Sequence, residues 1–200
     1  MAVDLESRTL QGLSGFLGMV ALNVLFLLCC LPIVSIGAAT SALFAVMLRY
    51  SDQESGNPVR DFLPALRAHG LTATAVSALL GLPALVFAFV AVFWFSTSTA
   101  LGAALGTVAV LASTYLVAAF VYGAALIPRA GHGVRRTVRN ALLLPGAEPL
   151  RTGGLLLVPA TLVSTVVVLP PALVLLGTVG FSVSAYVVAL VVRSAFDRHT

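Results

Sequence analysis

The sequence predicts an all-α polytopic bundle of transmembrane helices, a single integral membrane domain over residues 1–200, and three observations carry that prediction. Charged residues make up 9% of the chain, against about 25% in soluble domains. Asp, Glu, Lys and Arg are absent from three runs, 9–48, 68–128 and 152–192, which hold 40, 61 and 41 residues. All 11 basic residues are arginines, and every one falls between or outside those runs. A charge at the centre of a spanning helix costs about 2.5–3.5 kcal/mol, so runs of this length are what a bilayer requires. The expected architecture is three helical hairpins, with six membrane segments near 13–31, 33–48, 71–95, 103–128, 152–169 and 172–192.

The opening residues 1–8 are a short surface segment of mixed charge. Asp4 and Glu6, followed by an apolar run far longer than that of a signal peptide, argue for a first segment that is retained. Gly12, Gly15, Gly18 and Ala21 then form a strip of small side chains on which a neighbouring helix can pack closely. A straight helix over 9–48 would be about 60 Å long, twice the hydrocarbon thickness of about 30 Å. Pro32 places the bend, because it removes a helix hydrogen bond and disfavours helical geometry at Leu31. Two short passes fit best. A re-entrant pair has the same sidedness, and a single crossing, giving five spans, is the alternative.

Around that break the residues also carry a resemblance. Leu22-Asn23, then Leu31-Pro32-Ile33-Val34-Ser35-Ile36-Gly37, then Ala39-Thr40-Ser41-Ala42-Leu43 resemble the signature of the YesL-like family, bacterial integral membrane proteins classed as a domain of unknown function. Ser35 stands where that pattern usually has threonine, and Ala38 where it usually has proline. Arg139-Asn140-Ala141-Leu142 and the stretch 180–196 resemble the same family. The resemblance implies an association with carbohydrate-uptake systems, with permease subunits of ABC transporters as candidate partners.

The first polar loop, 49–67, sets Arg49, Arg60 and Arg67 against Asp52, Glu54 and Asp61. Asn57 followed by Pro58 reads as a helix cap and first-turn proline, and Val59, Phe62, Leu63 and Leu66 follow at helical spacing. An interfacial amphipathic helix over 58–68 is expected, with Pro64 limiting its regularity. Segments 71–95 and 103–128 form a hairpin turned at Ser96-Thr97-Ser98-Thr99. Pro83 kinks the first of them, and Phe93, Trp94 and Phe95 mark the outer interface. Gly102 and Gly106 form a GxxxG, a common packing motif. The second polar loop carries Arg129, Arg135, Arg136, Arg139 and Arg151 against Glu148 alone, a net charge of +4. A second amphipathic piece, 134–144, is expected on the membrane surface, with arginines on one face and Val134, Val138, Ala141 and Leu142 on the other. Pro170-Pro171 splits the last run into a third hairpin. The arginine distribution puts both termini and both polar loops on the cytoplasmic side of the cell membrane.

No Asp, Glu, Lys, Arg or His lies inside an expected span, which argues against proton-coupled transport and intramembrane catalysis. Adjacent Cys29 and Cys30 fit neither disulfide nor metal spacing, and His69, His132 and His199 are scattered, so neither metal nor cofactor is expected. No phosphate-binding glycine loop or nucleophile elbow occurs, and neither an enzyme nor a nucleic-acid binder is expected. Two groups of candidate site residues remain. Asn23, Pro32, Ser35, Gly37, Thr40 and Ser41 surround the helix break and would form a solute site if the chain is a small carrier or channel for a neutral solute. Arg60, Arg67, Arg129, Arg135, Arg136, Arg139 and Asn140 are candidate contacts to anionic lipid at the cytoplasmic face or to a partner. The leading expectation is a non-enzymatic accessory or assembly partner of a carbohydrate-uptake system, and the carrier is its rival.

Overall fold

The computed structural model describes residues 17–51, 57–130, 133–169, 171, 178 and 180–196. Gly12, Gly15, His132, His199, residues 1–8 and most of 172–180, the start of the last expected segment, lie outside the described residues. All regular structure among the described residues is helical. In chain order the helices are α1 (Leu17–Cys30), α2 (Ile36–Ser51), α3 (Pro58–Ser96), α4 (Ala100–Ala130), α5 (Val134–Ala147), α6 (Pro149–Val168) and α7 (Phe181–Phe196). A single 3-10 turn, Ile33–Ser35, joins α1 to α2.

α3 is the spine. Its 39 residues span about 58 Å, nearly twice the hydrocarbon thickness of a bilayer. Asn57 caps it by accepting a hydrogen bond from the Val59 amide at 3.2 Å, with Pro58 at the first helical position, as the sequence leads one to expect. The helix then runs unbroken through Pro64, His69, Gly70 and Pro83. The stretches 58–68 and 71–95, expected as an interfacial piece and a separate span, are therefore one element. Nothing between them disfavours helix strongly enough to end it: a single glycine costs only about 1 kcal/mol.

Antiparallel neighbours line both ends of this spine. α2 runs back along its first half, from Gly37 beside Ala73 and Ser77 to Arg49 near Asp61 and Pro64. A Cβ at Gly37 would overlap the Ser77 side chain and lie 2.9 Å from the Ala73 carbonyl oxygen, so the two backbones approach as only glycine permits. α4 runs back along α3 from its Ser96 end past Val76. Gly106 meets the Phe95 ring, the Ser113 hydroxyl donates to the Ala84 carbonyl at 2.9 Å, and Gly123 meets Val76 and Leu80. The turn between them is closed by hydroxyls: Thr97 Oγ1 donates to the Trp94 carbonyl at 2.7 Å, and Thr99 Oγ1 accepts from the Gly102 amide at 3.0 Å. Ser98 adopts φ 51°, and a Cβ at Gly102 would lie 2.6 Å from the Trp94 carbonyl oxygen.

Packing divides the molecule in two. The lower part, at the Pro58 end of α3, holds a core that includes Leu22, Met47, Phe62, Tyr122, Leu155 and Val188 from six helices. The upper part is the α3–α4 hairpin. Beyond Gly81, α3 buries only Ala84 and Ala91; before Ala118, α4 buries only Gly102, Gly106 and Ala109. Leu82, Leu85, Phe89, Val92, Leu101 and Leu111 face outward. Burying only the small residues along the helix seam and exposing the large apolar ones is the inverse of a soluble hairpin and suits a lipid surround.

Among the described residues, three stretches are long and apolar enough to cross a membrane: Ile33–Tyr50, Pro58–Ser96 and Ala100–Arg129. That is fewer than the six expected. Pro32 ends α1, and among the described residues Leu17–Cys30 and Phe181–Leu190 are shorter apolar helices. If the Gly37 contact holds α2 on α3, Gly37→Ala will lower stability by about 1–3 kcal/mol through overpacking. Thermal unfolding in detergent checks this, and adding Ser77→Gly to the same chain should recover part of the loss.

Candidate functional site

The residues around the helix break are built from the bottom by the need to satisfy backbone groups where water is absent. Pro32 takes an extended conformation, φ −76° and ψ 113°, which ends α1. The freed carbonyls are met locally. Ser35 Oγ donates to the carbonyls of Cys29 and Pro32, the latter at 2.7 Å, and the Ser35 amide donates to the Pro32 carbonyl at 2.8 Å. Leu31, Ile33 and Val34 at the tip are 77%, 82% and 77% exposed, an apolar tip with nothing over it. Thr40 Oγ1 donates to the Ile36 carbonyl at 2.7 Å, one turn back along its own helix. Ser41 is fully buried, and its hydroxyl has no hydrogen-bond partner.

Asn23 is fully buried on α1, more than two turns before the break. Its Oδ1 accepts from the Ser182 amide at 3.1 Å and from the Ser182 hydroxyl at 3.3 Å, while that hydroxyl also reaches the Met19 carbonyl at 3.2 Å. Ser182 sits in the first turn of α7, whose amides have no partner within their own helix. A side chain on α1 therefore caps α7, and Phe26 against Phe181, with ring centroids 5.5 Å apart, closes the apolar side of the joint. Six expected site residues thus occupy separate places: Asn23 at the α1–α7 joint, Pro32 and Ser35 in the turn, Gly37 against α3, and Thr40 and Ser41 along α2. Ser182 was not among them. Its partner is 159 positions away, and no local pattern links the two.

The basic candidates separate as well. α5 does not leave its apolar face to lipid. It runs back along α4, with Ala141 beside Gly123 and the Tyr115 hydroxyl donating to the Leu142 carbonyl. Thr137, Ala141 and Pro145 are buried, and Val134, Val138 and Leu142 pack on the α3–α4 cluster. The physical reason is the seam that Gly123 opens on α4, which admits Ala141 closely. Arg135, Arg136, Arg139 and Asn140 are exposed on the other face. Arg60 and Arg67 are exposed on the first turns of α3. Arg151 pairs with Glu148 at 2.7 Å, and Thr152 beside it meets the buried Tyr122 hydroxyl at 3.3 Å.

Arg129 stands apart from this row, at the rim of a cleft of about 280 Å³ between the ends of α2, α3 and α4. Arg49, Asp61 and His69 share that rim, and none of the three was singled out from the sequence. Arg49 comes from α2, Asp61 and His69 from α3 and Arg129 from α4, so the register of three helices brings them together. Among the described residues, no group of three or more His, Cys, Asp or Glu could hold a metal ion.

These features define an all-helical protein with, among the described residues, three stretches apolar enough to cross a membrane, whose polar groups inside the bundle mostly bind its own backbone. Residues 19–95 match a protein family described as "Protein of unknown function, DUF624", a match that runs from α1 through the break to the end of α3. No curated protein and no solved structure matches the chain.

If the Asn23 joint fastens α7, Asn23→Leu will cost about 0.6–2 kcal/mol, the range for interhelical hydrogen bonds in membranes. Ser182→Ala will cost less, since the backbone amide keeps its acceptor. A double-mutant cycle on unfolding free energies should give a coupling clearly different from zero.

Proposed function

We propose that this chain is a non-enzymatic accessory of a membrane transport system, a multi-pass protein of the cytoplasmic membrane whose arginine-bearing end faces the cytoplasm. One observation carries the reading: α5 is locked to the bundle by one face and basic on the other, with Arg135, Arg136 and Arg139 exposed. Such a helix offers a fixed cationic surface, worth up to about 1 kcal/mol per arginine towards anionic lipid and equally suited to an acidic partner. Asn140 lies on the same helix, and Arg60 and Arg67 are exposed on the first turns of α3. The carbohydrate-uptake assignment, with an ABC permease as partner, rests on the resemblance of 22–43, 139–142 and 180–196 to the YesL-like family. Pull-down of the tagged protein from native membranes in mild detergent tests it. Stoichiometric recovery of a permease is expected, and Arg135→Glu, Arg136→Glu and Arg139→Glu together should abolish it; recovery of the chain alone sinks the accessory reading.

The same reading fixes a topology. Gly18 lies against Pro58, and Arg49 shares a cleft with Asp61, so both ends of α1–α2 sit at the first turns of α3. Gly37, in the first turn of α2 just past the tip, lies level with Ala73 and Ser77, and about 28 Å of α3 separates Ser77 from Ser96. α1–α2 is accordingly a re-entrant hairpin rather than two full crossings. With Cys29 and Cys30 replaced by serine, a cysteine at position 98 should react with an impermeant maleimide from outside the cell. A cysteine at position 34 should not. Equal labelling of both positions would mean two full crossings.

The rival reading, a small carrier for a neutral solute, draws on the broken first helix and on Ser41, buried with its hydroxyl unmatched. A carrier should bind solute when purified alone and lose binding on Thr40→Val.

A further inference from the structure

The cleft at the arginine-bearing end has a composition that the accessory reading does not use. Small and apolar groups, among them Ala65, Ala68 and Pro128, line part of it and leave about 280 Å³ open. Its rim carries Arg49 from α2, Asp61 and His69 from α3, and Arg129 from α4. A last-turn arginine is explained by the helix dipole alone, and Asp61 in the first turn of α3 is explained in the same way. Four such groups turned towards one cleft from three helices are not. The side chains of Arg49 and Asp61 make no hydrogen bond or ion pair with each other or with another described residue, although both line the same space. Opposite charges that share a cleft without closing on each other leave room for something between them.

We propose that this cleft binds a phosphate ester of a polyol, with Arg49, Arg129 and His69 on the phosphate and Asp61 accepting hydrogen bonds from the neighbouring hydroxyls. Guanidinium groups match phosphate oxygens in a planar fork, and basic pockets between membrane helices are a recurrent way of holding phosphorylated headgroups. A single carboxylate beside them would repel a bare phosphate. It becomes favourable once the ligand brings hydroxyl donors of its own. The volume is small for a drug-sized ligand, whose pockets start near roughly 300 Å³, and suits a headgroup or a small metabolite. Two sources share this chemistry: the headgroup of phosphatidylglycerol, reached from the membrane, and a free polyol phosphate, reached from the aqueous side.

The test uses the full chain in neutral detergent, with glycerol phosphate titrated calorimetrically and phosphatidylglycerol retention followed by native mass spectrometry against phosphatidylcholine. Saturable 1:1 binding of at least one probe is expected. Arg49→Gln and Arg129→Gln should each weaken it by about tenfold or more, whereas Arg198→Gln, which removes the same charge near the end of the sequence, should not. Binding of glycerol phosphate alone identifies a soluble ligand, retention of phosphatidylglycerol alone identifies the headgroup, and both together identify a site open to either. His69→Gln serves as a second variant should loss of an arginine prevent recovery of folded protein. Asp61→Asn should weaken glycerol phosphate relative to inorganic phosphate. The proposal is overturned if neither probe binds, if Arg198→Gln weakens binding as much as Arg49→Gln, or if Asp61→Asn improves both phosphates equally.

Discussion

The close approach of α3 to its two antiparallel neighbours sets the geometry on which the other helices depend. In lipid there is no hydrophobic force between apolar helices, so association relies on van der Waals contact and hydrogen bonds, and both need backbones near each other. Gly37 supplies that contact to α2, while Gly106 and Gly123 supply it to α4. Once α2 and α4 are placed, the rest follows by contact. α5 seats Ala141 on the same Gly123 that admits Val76 and Leu80, and Tyr50 at the end of α2 meets Tyr186 of α7 edge-on with centroids 6.3 Å apart. A side chain larger than hydrogen at Gly123 would crowd α3, because its Cβ would lie 3.1 Å from Val76 and 3.3 Å from Leu80, while it would meet Ala141 of α5 at an ordinary contact distance of 3.5 Å.

Satisfying the polar backbone is the second constraint, and it accounts for where the hydroxyls sit. Ser35 covers the end of α1, Thr97 and Thr99 close the α3–α4 turn, Ser113 reaches the Ala84 carbonyl across the hairpin, and Asn23 covers the start of α7. Each of these groups lies where a helix ends or meets another, which is where unpaired N–H and C=O groups are most costly in hydrocarbon. A membrane protein built to pass a polar solute would instead turn several such groups towards a common space. Among the described residues only Ser41 is left in that condition as a hydroxyl, and a single hydroxyl is too few to coordinate a solute.

What could be read from the sequence was whatever depends on neighbours along the chain. The charge-free runs and the placement of arginine follow from local composition, and the Asn57-Pro58 start of α3 follows from two adjacent residues with fixed conformational roles. Pro32 marked the break for the same reason. The direction of α5 was not legible. Its sequence alternates arginine and apolar residues as a helix on a lipid surface would, and only the groove beside Gly123, on another helix, turns that apolar face inward. The cleft residues escaped for a similar reason: Arg49, Asp61, His69 and Arg129 look like loop and helix-end charges until the antiparallel register of α2, α3 and α4 brings them level. The continuity of α3 was hidden by His69 and Gly70, which read as a polar boundary but cost a long helix too little to stop it.

Length decides how the two halves of the molecule divide their work. A helix of about 58 Å cannot hold both its ends inside a hydrocarbon layer of about 30 Å, so one part of α3 must stand at or beyond the interface. The charges show which part, since Arg60, Asp61, Arg67 and His69 all precede Leu71 and the 71–95 stretch carries none. The hairpin beyond Gly81 then has lipid as its natural surround, while the lower bundle holds α1, α2 and α5 to α7 against the first half of α3. In that arrangement the arginines of α5 and the cleft beside Arg49 are carried on packed helices rather than on mobile loops. A binding surface that is already ordered loses little conformational entropy when a partner or headgroup arrives, and this favours recognition at the arginine-bearing end over recognition along the lipid-facing hairpin.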